Sequence, residues 1–332
     1  MTATLADIRS RLDSGSVTSE ALVESVLDAG HGAGAVERPI ARSRSLARAS
    51  DARRRAGRSR GPLDGVPFGV KVNFDVQGEP TTSGLMPAGP PAASDARSVA
   101  LLVAEGAIPA IGTTMAPAAL GTVTPHPDIG LCQNPRDASR GAGGSSGGSA
   151  AAVGSGLVPF ALGSDTLGSV RIPAAHCGVV GWIPTHGSVS TRGLVPLAPP
   201  LDSVGLLCAA AHDLQWLVAP LFAPDPRHPW WRARPGFVPP HRPRIADCVL
   251  GERADERGRQ ATEALIDEFV AIGAVRTTTV ALTVEPRVVR RRALLLAEIC
   301  AAVTFREARE AGHLPNHADT LVDYGARASG TR

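Results

Sequence analysis

The chain has 332 residues, 43% of them apolar and 20% charged, and its 34 basic and 31 acidic side chains leave a net charge of +3. That balance excludes wholesale disorder and a membrane-embedded chain, and it provides no long-range field for nucleic acid or an anionic membrane. Five scattered cysteines without a C-x-x-C pair argue against a disulfide framework or a zinc site, and a single tyrosine leaves few rings on which a single strand could stack.

In chain order, apolar residues at helical spacing over residues 3–29 predict two helices, with Thr18-Ser19-Glu20 supplying the N-cap of the second. The amino terminus has no basic segment leading into an apolar run, so a secretory signal is not expected and a cytoplasmic location is. A helix rich in Ala, Arg and Ser follows at about 41–57. Its cluster Arg53 to Arg55, like Arg290 to Arg292 later, reads as a solvated helix face. Val66 to Val72 has the pattern of a buried strand, ended by Asn73 and the turn at Gly78 to Pro80. Ser94 and Asp95 are expected to cap a helix running to about Glu105, and Ala107 to Ile111 is a further short strand. Strands alternating with helices point to a layered α/β fold.

Residues 139–149 contain no large side chain except Arg140, and an Ala-rich helix follows from Ser149. Leu157 to Leu162 is a candidate strand leading into a second small-residue turn, Gly163 to Ser169. Ala150 to Leu162, the most apolar stretch, is too short and too broken by glycine to cross a bilayer. Prolines and arginines then accumulate from Phe222 to Arg244. The expected organisation is a core over 1–220, a Pro/Arg-rich linker or surface excursion over 221–244, and the rest of the same α/β domain over 245–332, cut short at its end. That last part holds a helix from Asp255 to Gly273, a strand from Arg276 to Leu282 and a helix from Glu285 to Gly312.

Lys71 is the sole lysine; every other basic residue is arginine. A composition that replaces lysine with arginine wherever either serves has spared this one position. Arginine is effectively always protonated, whereas a desolvated amine can lose its proton, so a neutral base is a task for which arginine cannot substitute. Such a base needs a hydroxyl, and the two turns offer Ser145, Ser146, Ser149, Ser164, Thr166 and Ser169. Glycine-serine loop filler is the plain alternative. Both turns, however, lie between apolar elements, and their glycines let backbone N–H groups converge on one point.

Gly143-Gly-Ser-Ser-Gly-Gly-Ser149, then Ala161-Leu-Gly-Ser-Asp-Thr-Leu-Gly-Ser-Val-Arg171 and Cys177-Gly-Val-Val-Gly181, resemble the signature of the amidase family, and Gly65-Val-Pro-Phe-Gly-Val-Lys71 looks like that family's lysine strand. The resemblance spans about residues 3–215. It implies an amidase-signature-type fold, a mixed central β-sheet covered by helices on both faces. It also implies an amide-hydrolysing Ser-Ser-Lys triad without a cofactor or metal. Ser169 would be the nucleophile and Ser145, on a cis peptide, the relay to neutral Lys71. The oxyanion hole would be the N–H groups of Thr166, Leu167, Gly168 and Ser169, with Ser146, Asp165 and Arg171 in support. Met115 and Gly144 would contact substrate, and the apolar run Ala116 to Leu120 suggests an uncharged acyl group.

Some positions depart from the family pattern. Leu167 replaces a usual glycine, and a leucine forced to positive φ would cost roughly 1–2 kcal/mol. Val72 replaces an aspartate after the lysine, and Thr113 and Ile183 stand where lysine is common. The shortened end leaves open an amidotransferase-like subunit or an inactive scaffold of the same fold. Beyond a small amide substrate, the expected partner is a second copy or a subunit that completes the carboxyl-terminal region. An α/β-hydrolase esterase is a lesser alternative, because Gly143-Gly-Ser-Ser-Gly147 fits G-x-S-x-G; the polar segment Asn134 to Arg140 is a poor match for the buried strand that elbow requires. His126, His176, His186 and His212 then read as packing or surface residues.

Overall fold

The computed structural model describes residues 3–30, 32–86, 88–126, 129–232, 244–246, 256–277 and 286–329. Capping fixes the first helices. Helix α1 (Leu5–Asp13) starts at a capping box in which the Thr4 hydroxyl accepts the Asp7 N–H at 3.2 Å and the Asp7 carboxylate accepts the Thr4 N–H at 2.9 Å. Its buried residues, Leu5, Ile8 and Leu12, recur at helical spacing. Helix α2 (Ser19–Asp28) is capped by Thr18, as its sequence predicts. Helix α3 (Ser43–Arg55) corrects one expectation: Arg53 and Arg54 pair with Asp64 and Asp13 rather than only facing water.

Strands β1 (Val36–Pro39), β2 (Pro67–Lys71), β3 (Ile108–Thr113), β4 (Phe160–Asp165), β5 (Val180–Trp182) and β6 (Ser203–Cys208) form one sheet in the order β1-β3-β2-β4-β6-β5. β2 runs parallel to both β3 and β4, whereas β1, β5 and β6 pair antiparallel with their neighbours, so the sheet is mixed. Helix α4 (Arg97–Ala104) begins without a side-chain cap. The expected capping residue Asp95 instead accepts from Arg42 at 2.6 Å and from the Gln77 N–H at 2.8 Å.

Alternation along the strands builds a core on each face. Phe68, Val70, Phe160, Leu162, Val204 and Leu206 pack with α1 and α4 and with α7 (Leu214–Leu221). Ala161, Leu207 and Ile111 face the other way, against α5 (Gly147–Gly154) and α6 (Arg171–Cys177). α5 lies so close to the sheet that a Cβ at Gly148 would sit 2.3 Å from Thr114 Oγ1. A third cluster joins Val72, Met115, Ala118 to Leu120 and Leu197 to Ala301, Ala302, Phe305, Leu314, Ala318 and Val322 of the carboxyl-terminal helices and the turns between them.

Two compact units divide the chain: residues 1–233 with 297–332, and residues 234–296. Within the second, Arg244–Ala246 pairs in parallel with Val275–Thr277, joined through helix α8 (Glu256–Ala271). Helix α9 (Pro286–Thr304) begins in the second unit and ends in the first. The single helix expected from Glu285 to Gly312 is broken after Thr304, and α10 (Arg306–Glu310) and α11 (Asn316–Ser329) follow. Most of the strand expected from Arg276 to Leu282 lies outside the described residues.

Candidate active site

β2 carries Lys71 at its last residue, fully buried. Its Nζ is 2.8 Å from Ser145 Oγ, 2.9 Å from Ser164 Oγ and 3.5 Å from the Ser164 carbonyl oxygen. Burial pushes the amine down from 10.5 to about 7, against the opposing pull of Asp165 and Asp202. A neutral amine has two hydrogens and one lone pair. The Ser164 oxygens can take its N–H groups, which leaves the lone pair for the Ser145 hydroxyl.

Ser145 sits between the glycine-rich loop and α5, and the Gly144–Ser145 peptide is cis. Gly144 is close-packed beneath residues 121–123: a Cβ there would lie 2.9 Å from the Val123 N. Ser146 donates its hydroxyl to the Ser164 carbonyl at 3.3 Å and its N–H to the Ser169 carbonyl at 3.1 Å, tying the two turns together. Ser149 donates to the Leu162 carbonyl and shares a 2.7 Å contact with Thr113.

Ser169 lies in the turn between β4 and α6. It is partly exposed, and its hydroxyl forms no hydrogen bond among the described residues. Asp165 organises this turn. Its carboxylate accepts from the N–H groups of Gly168 (2.7 Å), Val170 (3.0 Å) and Arg171 (3.4 Å) and is clamped by the Arg171 guanidinium at 3.1 and 2.9 Å. Burial alone would raise this carboxyl, but Arg171 and the backbone donors hold it below the usual carboxylate range.

Three expectations are corrected here. Gly168 cannot join the other oxyanion donors in this arrangement, because its N–H is committed to Asp165; the N–H groups of Thr166, Leu167 and Ser169 make no internal hydrogen bond among the described residues. Leu167 bears no left-handed strain: the positive φ of the turn, 129°, falls on Gly168, and the leucine side chain is exposed. Met115 is only 2% exposed and packs in the third core cluster, so it is a core residue rather than an exposed substrate contact.

Three polar residues at the site fall outside the expected set. Ser164 holds Lys71 and accepts from Asn73 Nδ2 at 3.0 Å. Asn73 is the second residue after Lys71, and its Oδ1 is buried without a partner. Asp202 accepts the Thr166 hydroxyl at 2.5 Å. Ser164 is at least one of the turn hydroxyls within the sequence-level reach of the lysine; Asn73 and Asp202 have no motif to flag them. A recess of about 490 Å³ lined in part by Thr122, Val123, Gly143 and His176 borders the glycine-rich loop. No group of three or more potential metal ligands occurs among the described residues, nor does a helix long and apolar enough to cross a membrane.

The sequence profile of the family described as Amidase matches residues 31–245. AtzE of Pseudomonas sp. (strain ADP), a component of 1-carboxybiuret hydrolase, is 40% identical over 218 residues, covering 65% of this chain and 47% of that protein. A glutamyl-tRNA(Gln) amidotransferase subunit of Anaeromyxobacter sp. (strain K) is 45% identical over 197 residues, 58% of this chain and 40% of that protein. The chain thus spans about half, or less, of the length of these curated relatives. Among solved structures, one described as the crystal structure of an amidase superposes with a TM-score of 0.85 at 32% identity, covering 98% of this chain and 74% of its own. Another, from work on a vestigial protein complex and the origins of an s-triazine catabolic enzyme, gives 0.87 at 28% identity, covering 99% of this chain and 76% of its own.

Proposed function

The chain belongs to the amidase family, and from that premise we propose that it hydrolyses a carboxylic amide C–N bond through an acyl-enzyme on Ser169. The observation that carries this reading is the 2.8 Å contact between Ser145 Oγ and a wholly buried Lys71 whose pKa lies at about 7. A hydroxyl is a poor nucleophile until an adjacent base takes its proton, and a base is most effective when its pKa lies near the working pH.

In the proposed reaction, Ser169 Oγ attacks the amide carbonyl carbon and passes its proton to Ser145 Oγ as Ser145 passes its own to Lys71 Nζ. The carbonyl oxygen gains the negative charge and is met by the N–H groups of Thr166, Leu167 and Ser169. Collapse of this adduct breaks the C–N bond, and the proton held by Lys71 returns through Ser145 to the departing nitrogen. Water then attacks the ester along the same proton path, releasing the acid and restoring Ser169. Catalytic hydrogen bonds commonly tighten only when substrate is bound, which accounts for the unpartnered Ser169 hydroxyl.

A second reading, a catalytic subunit that works with a partner chain, is favoured by the two relatives whose names describe them as subunits. Intact-mass analysis with peptide mapping after treatment with a fluorophosphonate probe tests the first reading. Labelling confined to Ser169, and strongly slowed in Lys71→Ala, is expected. Well-folded protein that takes no label refutes a self-sufficient enzyme and directs attention to the second reading.

A further inference from the structure

Asp202 belongs to none of the motifs that make up the site, yet it is buried and both of its oxygens are engaged. Oδ1 accepts the Thr166 hydroxyl at 2.5 Å, and Oδ2 accepts the N–H groups of Leu197 and Ala198, both at 2.9 Å. The sheet register explains its place. Ser203 lies opposite Asp165 across β6 and β4, so the residue before Ser203 meets the residue after Asp165. β4 stands between β6 and β2, and Lys71 reaches from β2 to Ser164 on β4.

The two carboxylates near Lys71 differ in one respect. Asp165 is clamped by the Arg171 guanidinium, whereas Asp202 has no ion-pair partner among the described residues and is satisfied only by neutral donors. No arginine among the described residues neutralises its charge. We infer that Asp202 is a positioning residue for the proposed reaction: it ties Thr166, at the head of the turn that presents Ser169, to the 197–198 backbone, and from beside the strand that holds Lys71 it adds to the negative charge that the amine meets. This inference rests on the Ser169–Ser145–Lys71 reading.

The charges around the pair are consistent with it. Asp165 and Asp202 both raise Lys71 against the effect of burial. Asp202 itself is raised by burial, and Thr166, the two backbone N–H groups and Lys71 pull it back. The Cys300 thiol of α9 is pushed up by burial first and by the Asp202 charge second.

Because the chain contains one lysine, incorporation of lysine labelled with ¹³C at Cε gives a single side-chain NMR resonance, and its pH titration reads Lys71 without any turnover. Asp202→Asn is expected to lower the midpoint, the direction in which loss of an opposite charge moves an amine. Thr166→Val, which keeps the charge and loses the tether, is expected to leave the midpoint in place and to slow fluorophosphonate labelling of Ser169 about tenfold. A purely structural role for Asp202 would not move the lysine midpoint. Coincident midpoints in wild type and Asp202→Asn overturn the inference, and so does wild-type labelling in Thr166→Val, which decides alone if Asp202→Asn fails to fold. A Ser169 that never labels in wild type, beside a shifted lysine resonance in Asp202→Asn, faults the enzyme reading instead.

Discussion

The centre of the sheet and the unit at residues 234–296 depart from the usual inside-outside arrangement in opposite senses. Around Lys71 the interior is polar: Asn73, Ser145, Ser146, Ser149, Ser164, Asp165 and Asp202 are all buried. In the second unit large apolar side chains share the surface with charged ones: Leu265, Phe269 and Ile272 of α8 and its following turn are exposed by 52%, 46% and 82%, while Ile266 and Ala274 are its buried hydrophobic residues among those described. Buried polar groups and exposed apolar ones are the informative exceptions to hydrophobic burial. The first group is satisfied almost atom by atom, since each of these side chains has a hydrogen-bond partner and Asn73 Oδ1 is the orphan. The interior cost is therefore met by specific bonds, which ties the region to chemistry.

That contrast can be tested by unequal perturbations. Ser169→Ala should give the largest effect, cutting fluorophosphonate labelling by about 10⁴-fold or more while leaving the melting temperature unchanged, because its hydroxyl has no internal partner. Lys71→Met should slow labelling by roughly 10²- to 10⁴-fold. It also has a thermodynamic signature. Lys71 has a folded pKa of about 7 against 10.5 unfolded, so between those values the unfolded chain holds the extra proton and wild-type stability rises with pH. Relative to Lys71→Met, urea unfolding should show wild type gaining on the order of 4 kcal/mol from pH 7 to above 10.5, with none of that gain below pH 7.

Phe160→Ala should cost about 3–5 kcal/mol in the same unfolding measurement, because Phe160 is fully buried and stacked on Phe68 at 5.1 Å. Ile272→Ser should change stability by no more than about 0.5 kcal/mol and should reduce self-association in light scattering. If Ile272→Ser instead destabilises the chain as much as Phe160→Ala, the contrast between the two regions is wrong.

Much of this arrangement is legible in the sequence, and the parts that are not have identifiable causes. Lys71 stands out because arginine has replaced lysine everywhere else. Ser145 and Ser169 stand out because glycine-rich turns between apolar segments are costly unless their backbone is used. β4, read as ending at Leu162, runs on to Asp165, because Gly163-Ser164-Asp165 is polar in sequence but buried by Lys71, Ser146 and the facing strand. Asp202 is invisible to motif reading: it follows Pro199 and Pro200, and its meaning arises only when β6 pairs with β4. The false cap at Ser94-Asp95 has a similar origin, since Asp95 is used by Arg42 from a distant helix start. In each case a local rule gave way to a partner remote in the chain.

The complete burial of Lys71 has a practical consequence for anyone labelling this protein. Within these 332 residues the one side-chain amine is that of the buried Lys71, so while the fold is intact acylating dyes and cross-linkers find no exposed lysine here. Modification of Lys71 would signal that the sheet has opened, making the proposed base a built-in reporter of the integrity of the fold around it.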